Sequence, residues 1–432
     1  MNNEQCTIFA QTERSSQMHL DDAEVQPKIT QKRSGCVMNN VQFTMKTEQE
    51  HNDEQCTMNN VQWKKVKLGE CCTIHGRIGF RGYTTDDLVE KGYGAITFSP
   101  SDIHNFKLCY DDCDYITWKK YEESPEIKVF NGDILFCKTA SIGKCAYVEG
   151  LKEKATINPQ FVVLKNFQCD SKFLFYKLIS YGFQTQVQGI TGGSTIKTMS
   201  QEKLSLEEIS VPDFPAQRRI AAILASADKV IAATHKTIAK YKQIKQGMME
   251  DLLNEQCTMN NVQWKKVKLG ECLSIGNGCD YKHLKEGDIP VFGTGGIMTY
   301  VDNYLYNGET VCIGRKGTIN HPMYHIGKIW TVDTLFYTHS FVDVIPKFIY
   351  YVFCNIDWNK YNEATGVPSL SKETIYKIEI PVPDLTEQRR IAAILSGIDA
   401  KIAAEEKVLQ KYEKVKKGLM ERLLNEQCTM NN

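Results

Sequence analysis

The sequence predicts an α+β fold built twice: two tandem α+β modules, each followed by a long helix. The two helices are expected to form an antiparallel coiled coil that relates the copies as a pseudo-twofold repeat. Three observations predict this. The string EQCTMNNVQWKKVKLGEC fills residues 54–71 and recurs at 255–272, 201 positions on. A second match closes each copy, VPDFPAQRRIAAIL from Val211 and VPDLTEQRRIAAIL from Val382. It runs without a gap at an offset of 171 into LLNEQCTMNN, at Leu252 and again at Leu423. Finally, the segment after each closing match repeats apolar residues with the 3.5-residue period of a coiled coil. Since the two offsets differ, near-identical frames enclose inserts that differ by about thirty residues and do not align. Such an arrangement suits a scaffold that displays two independently chosen recognition surfaces.

At 432 residues the chain can hold two to three domains, each with its own core. The longest apolar run, Phe348 to Cys354, is far too short to span a bilayer. Met1–Ala10 lacks the basic start and apolar core of a secretion signal, so a cytoplasmic location and no membrane partner are expected. Among the 16 cysteines there is no CxxC pair, and Cys109 and Cys113 lack a second pair at zinc-ligand spacing. Reduced thiols and no metal follow. Net charge is zero, and neither insert is basic: 72–210 carries 16 basic and 17 acidic residues, 273–381 carries 9 and 11. That balance argues against a nucleic-acid partner, although such a footprint can be local.

Residues 1–53 are polar, aperiodic and hold fragments of the repeat, NEQCTI at Asn3–Ile8 and VMNNVQF at Val37–Phe43. A disordered extension is expected, with Met58 as an alternative start. The first module runs over 54–210 and the second over 255–381. Each opens with Trp-Lys-Lys-Val-Lys-Leu, whose alternation predicts a short strand. Glu126–Phe130, Asn131-Gly132-Asp133 and Ile134–Cys137 read as strand, turn and strand. In the second module Asp288–Phe292, Thr310–Ile313 and Lys328–Thr331 read as strands. Each insert then predicts a helix (Ser171–Ser180; Pro346–Cys354) and a Gly/Ser/Thr loop (Gly189–Ser194; Ala364–Ser369). A last strand leads into a Pro-rich hinge (Leu206–Pro212; Ile375–Pro383).

The long helices occupy 211–254 and 382–424, and 425–432 repeats EQCTMNN as a tail. Asp384 and Glu387 have capping-box spacing, and Pro215 sits in the first turn of the other helix. Alternate steps of four and three from Ile220 give a seam containing Ile220, Leu224, Ile231, Ile238, Tyr241 and Leu252. The same steps from Ile391 give Ile391, Leu395, Ile402, Leu409, Tyr412 and Leu423. Two seams in one chain most economically pack on each other; alternatively each helix covers its own domain.

No string reads as catalytic. Asn158-Pro159-Gln160-Phe161 is close to the Asn-Pro-Pro-Tyr/Phe loop of adenine methyltransferases, but the second proline and a glycine-rich methyl-donor fingerprint are missing, so a turn is the better reading. Pro383-Asp384 with Glu405-Glu406-Lys407 has the outline of a nuclease metal motif. Its Glu and Lys fall on the long helix and the first copy lacks them, so they read as solvated helix charges. With no P-loop, HExxH or GxSxG, neither catalysis nor a cofactor is expected of this chain. Polar loops beside glycine remain: Arg77 and Arg81; Lys138, Thr139, Ser141 and Lys144; Ser194; and Arg315, Lys316 and Thr318. Arginine pairs with guanine edges, hydroxyls hold phosphate, and glycine permits close approach, so these are candidate DNA contacts. Solvated turns are the competing reading.

In this order the motifs resemble the specificity (S) subunit of type I restriction–modification enzymes, over roughly Val61 to Leu424. The carriers are PVPDLTEQRRIAAIL from Pro381 with Asp399 and KKGLMERLL, its partner from Val211 with QGMMEDLL, the opening WKKVKLGE, NGDILFCKTASIGK, and FGTGGI…IGRKGT…VDT. The resemblance implies two target-recognition domains, each reading half of a split site in double-stranded DNA. It also implies that the helix pair fixes their separation and docks two methyltransferase (M) subunits, with restriction/translocase (R) subunits completing the complex. Methyl-donor and nuclease chemistry would then belong to those partners, and this chain would be non-catalytic. The long N-terminal extension, the repeated EQCTMNN and Ala216 opposite Glu387 depart from the pattern. Two other readings stand beside it, a scaffold with two protein-binding domains and a stand-alone DNA-modifying enzyme.

Overall fold

The computed structural model describes residues 62–190, 198–254 and 264–425. The 1–53 extension, Ser194 and the 426–432 part of the tail lie outside the described residues. The two frames fold alike. Strand β1 (Lys64–Lys67) pairs antiparallel with β12 (Glu208–Val211), and β13 (Lys265–Lys268) pairs with β20 (Glu379–Val382). The register is the same, with Val66 opposite Ile209 and Val267 opposite Ile380. Leu68 and Leu269 then open the one-turn helices α1 (Leu68–Cys71) and α7 (Leu269–Cys272) and are fully buried. Gly69 and Gly270 let these helices lie on α5 (Gln201–Leu206) and α9 (Lys372–Lys377): a Cβ would come to 3.1 Å from Ser205 and 2.9 Å from Tyr376. The closing strands start later than the sequence suggests. Ser200 and Ser371 cap α5 and α9, drawing Leu206 and Ile375–Lys377 into helix.

The inserts are built differently. The first holds two four-stranded sheets. One is ordered β10 (Ala155–Ile157), β4 (Gly94–Phe98), β7 (Tyr115–Thr117), β3 (Leu88–Val89); the other is β2 (Thr73–Gly76), β11 (Phe161–Lys165), β8 (Ile134–Cys137), β9 (Cys145–Tyr147). The expected strand Glu126–Phe130 is a 3-10 turn over Pro125–Ile127, leaving Val129 as a single bridge to Ala155. Pro125 has no N–H to donate to a ladder. Strands β8 and β11 alternate between two cores: Leu135, Phe161 and Val163 face the other sheet, while Ile134, Phe136, Val162 and Leu164 face helix α3 (Ser171–Leu178). Burial on both sides explains their unbroken apolar runs.

The second insert is one six-stranded sheet, ordered β14 (Ser274–Asn277), β19 (Leu335–His339), β17 (Tyr306–Gly314), β18 (Met323–Thr331), β15 (Glu286–Gly293), β16 (Gly296–Val301). The three strands expected there lie inside β15, β17 and β18. Helix α8 (Pro346–Asn355) packs on this sheet.

Helices α6 (Phe214–Leu252) and α10 (Leu385–Leu423) have 39 residues each. Each is about 58 Å long at 1.5 Å per residue. Asp213 and Asp384 cap them by accepting from the backbone of Ala216 at 3.1 Å and Glu387 at 2.9 Å. Only half of the expected capping box is present, since Glu387 pairs with Arg390 at 2.6 Å. The helices pack antiparallel: Asp228–Lys416 at 2.6 Å, His235–Glu413 at 4.0 Å, Lys242–Glu406 at 2.9 Å and Lys245–Asp399 at 2.6 Å descend along one helix as they ascend the other. Along the seam Ile220, Leu224, Ile231, Ile238, Ile391, Leu395 and Ile402 are buried, and Tyr241, Leu252, Leu409, Tyr412 and Leu423 are half-buried.

Each helix does three jobs along its length. Its start covers its own module, through Ile220, Ala221 and Leu224 in the first copy and Ile391 and Leu395 in the second. Its middle meets the other helix. Its end enters the other module's core, Met249 and Leu253 in the second and Leu424 in the first. Buried Gln217 and Gln388 fix the starts. The Gln217 amide accepts from Asp170 N and donates to Pro212 O, both at 2.8 Å; Gln388 does the same with Ile345 N at 2.8 Å and Pro383 O at 2.9 Å.

Candidate nucleic-acid interface

In both modules the loop that follows a central strand meets the loop that precedes the closing helix. In the first, β8 ends at Cys137 and the chain turns through 138–144, with Ala140 at φ 61° and Gly143 at φ 88°. Thr139 forms an antiparallel bridge with Thr198, and Met199 N donates to Lys138 O at 2.8 Å. In the second, β17 ends at Gly314 and the loop carries Arg315, Lys316 and Thr318. Lys316 bridges Ser369, Gly317 N donates to Pro368 O at 2.8 Å, and Leu370 N donates to Arg315 O at 2.9 Å. Two glycines serve this turn: Gly317 has φ 95°, and a Cβ on Gly314 would sit 2.1 Å from Thr318 O.

The second loop is the more open one. Arg315, Lys316 and Thr318 are all exposed. The Arg315 guanidinium rests 5.9 Å from the Phe336 ring centroid and makes a long 3.4 Å contact with Asp333 O, leaving most of its donors to solvent. Beside it lies a concavity of about 300 Å³ lined by Asn277, Arg315, Phe336, Ser371 and Lys372. A second of about 400 Å³, lined by Asp280, Lys282, Thr294, Met298 and Asp333, reaches Thr334, whose carbonyl accepts from Arg315 N at 2.8 Å. Hydroxyls, amides, a flat cation and a concave floor on one edge are the groups that hold phosphate and base edges.

In the first module the candidates separate. Ser141 is exposed, and Thr139 and Lys138 are half-buried; burial pulls the Lys138 ammonium below its ordinary range. Lys144 bends back to the carbonyl of Pro100. Arg81 is half-buried, donating to Glu123 O at 3.0 Å and lying 3.7 Å from Glu126. Arg77 is not at a surface. It is 5% exposed, and its guanidinium donates to Ile157 O at 3.2 Å, Thr156 Oγ1 at 3.3 Å and Arg81 O at 3.3 Å. Arg77 therefore braces the loop that carries Arg81, a role that a Gly-Arg pattern does not distinguish from display. Lys282, Asn277 and Lys372, which the sequence did not single out, line the same concavities, brought there by strand order.

Among the described residues no cluster of three or more His, Cys, Asp or Glu side chains is placed to hold a metal. The described cysteines are free thiols, and burial pushes Cys72 and Cys312 up to about 12. Among the described residues no helix is long and apolar enough to cross a membrane.

This geometry has relatives. The family model described as type I restriction modification DNA specificity domain matches residues 60–245 and 261–414. The chain is 25% identical over 360 residues to the MjaX type I restriction enzyme specificity subunit of Methanocaldococcus jannaschii, covering 74% of this chain and 84% of that protein. It is 24% identical over 328 residues to the MjaVIII specificity subunit of the same organism, covering 65% of this chain and 76% of that protein. The crystal structure of the type I restriction–modification S subunit from M. genitalium shares its fold, with a TM-score of 0.59 at 18% identity over 85% of this chain and 97% of that one. The chain belongs to the type I restriction–modification specificity subunits. Within such a system it is the recognition component and not the catalytic one.

Proposed function

We propose that this chain reads a bipartite, non-palindromic site in double-stranded DNA, one half with each module, in the cytoplasm. Two methyltransferase subunits dock on the helix pair and restriction/translocase subunits complete the assembly. The methyl donor and any metal belong to those partners, and this chain binds no cofactor. One observation carries the reading: two modules of different sheet architecture stand on matching frames, each with a polar loop pair at the same position. Two surfaces of unlike shape on pseudo-symmetric supports suit two unlike half-sites. The DNA-contact candidates are Ser141 and Thr139 with Lys138 in the first module, and Arg315, Lys316 and Thr318 in the second.

Methylation mapping of DNA from cells that express the full complex tests this. A motif of two unrelated blocks separated by unspecified bases is expected. A short, continuous palindrome overturns it. The scaffold reading predicts binding that ignores salt and sequence, whereas a phosphate-contacting protein loses affinity steeply as salt rises.

A further inference from the structure

Two three-membered clusters join the modules to the helix pair. In the first, Tyr176 of α3 donates its hydroxyl to Asp228 Oδ2 at 2.7 Å, and Lys416 of the opposite helix holds Asp228 Oδ1 at 2.6 Å. In the second, Tyr351 of α8 donates to Asp399 Oδ2 at 2.8 Å, and Lys245 holds Asp399 Oδ1 at 2.6 Å. Each carboxylate thus spends one oxygen on its own module and the other on the far helix. Both tyrosines are nearly fully buried, 1% and 0% exposed, and each lysine also lies over its tyrosine ring, at 5.9 Å and 5.4 Å. Burial, and then the neighbouring carboxylate, raise both phenols, so they stay donors. Apolar packing tolerates sliding and rotation; a directional hydrogen bond and a paired charge at one point do not. The two inserts differ in sheet architecture, yet both bring a tyrosine to this point from the same Lys-Phe-x-x-Tyr spacing, Lys172-Phe173 with Tyr176 and Lys347-Phe348 with Tyr351.

We propose that these Tyr–Asp–Lys clamps fix the orientation of each recognition module on the helix pair, so that the working ruler is the helical segment between them. That segment, 228–245 on one helix and 399–416 on the other, is about 26 Å long at 1.5 Å per residue. Tyr176, Asp228, Lys416 and their counterparts are positioning residues, on the helices and not in the candidate DNA-contact loops. The spacer they would define rests on the split-site reading above.

The first clamp is the simpler one to test, because the second has an additional hydroxyl, Ser396, 3.1 Å from Tyr351. Spin labels on keto amino acids at the exposed positions Tyr93 and Tyr300 report the distance between modules in the full chain. Asp228→Asn and the milder Tyr176→Phe are expected to broaden or shift that distance. In the complete complex, the same variants should lose discrimination between the mapped spacer and one a base pair longer or shorter, by about tenfold for Asp228→Asn, the scale of a lost charged hydrogen bond. Ile231→Val, a seam change between the clamps, should lower the melting temperature and leave both readouts alone. Unchanged distances and spacer profiles in both clamp variants overturn the proposal. If the distance moves but the wild type has no split site, the clamps stand and the DNA reading falls.

Discussion

The two recognition modules hang on the same frame and share little else. The first is a pair of four-stranded sheets, one of them buried on both faces; the second is a single six-stranded sheet with strands of up to nine residues. In the first, several polar candidates are drawn inward, with Arg77 buried and Lys144 bent back to a carbonyl. In the second, Arg315 and its neighbours stand in the open beside two concavities. The frames, by contrast, repeat their strand register, short helix, buried glutamine and clamp. The difference teaches where variation is permitted. The main contacts to the helix pair recur in both copies, tyrosine and glutamine included, while the sheets that carry the candidate loops differ in strand number and order.

The strongest way to break this comparison is to erase it. A chimera with the Leu273–Pro381 insert in both frames should fold and should direct methylation to a symmetric site made of one half-site twice. The helix ends allow this, because Met249, Leu252 and Leu253 in one match Met420, Leu423 and Leu424 in the other. A soluble, partner-bound chimera that still modified two unlike halves would show the modules are not independent readers. Next in size, a heptad added to each helix between the clamps should lengthen the spacer by about three base pairs, from roughly 10 Å of helix at 3.4 Å per pair. A fixed spacer in a variant that folds and methylates sinks the ruler.

The remaining tests sharpen the comparison. Leu424→Ala, at a residue 1% exposed in the first module's core, should destabilise the protein by about 2–5 kcal/mol in a urea titration, although it lies at the far end of the chain. An effect below about 0.5 kcal/mol would mean the helix end only rests on that core. Arg315→Ala should cost about 1–3 kcal/mol in DNA affinity if it reads a base, and relax one half-site only. Arg77→Ala should do the reverse, lowering the melting temperature through the donors it withdraws from buried acceptors, with the motif unchanged. Were Arg77→Ala to alter the motif at full stability, its inward position would be the wrong guide.

Much of the scaffold was legible because it is local. The WKKVKLGE strand, the Asp384 cap and the 3.5-residue seam each depend on residues within a few positions of one another, and the repeat shows in a direct comparison of the two copies. Strands were harder. The first insert's β3 and β7 carry too few residues to show alternation, β4 is buried along its whole length and so shows none, and Glu126–Phe130 looked like a strand until Pro125 turned it. The candidate loops were legible as polar turns beside glycine, but not which of them face solvent. Arg77 and Arg315 sit in similar Gly-Arg contexts, and only the neighbouring strands decide that one is packed against Ile157 and the other left open.

The sequence by itself determined that there are two copies, that long helices close them, and which helix face is apolar, since periodicity fixes these without knowledge of any partner. Tertiary structure alone decided the exchange. Each helix ends in the other module, each aspartate joins its own tyrosine to the other helix's lysine, and the loop of Arg315 meets that of Ser369 more than fifty residues on. The physical reason is that these contacts join groups distant in the chain, whose pairing depends on how two helices lie antiparallel and how a sheet orders its strands. Nothing in the spacing along the sequence encodes that distance in space.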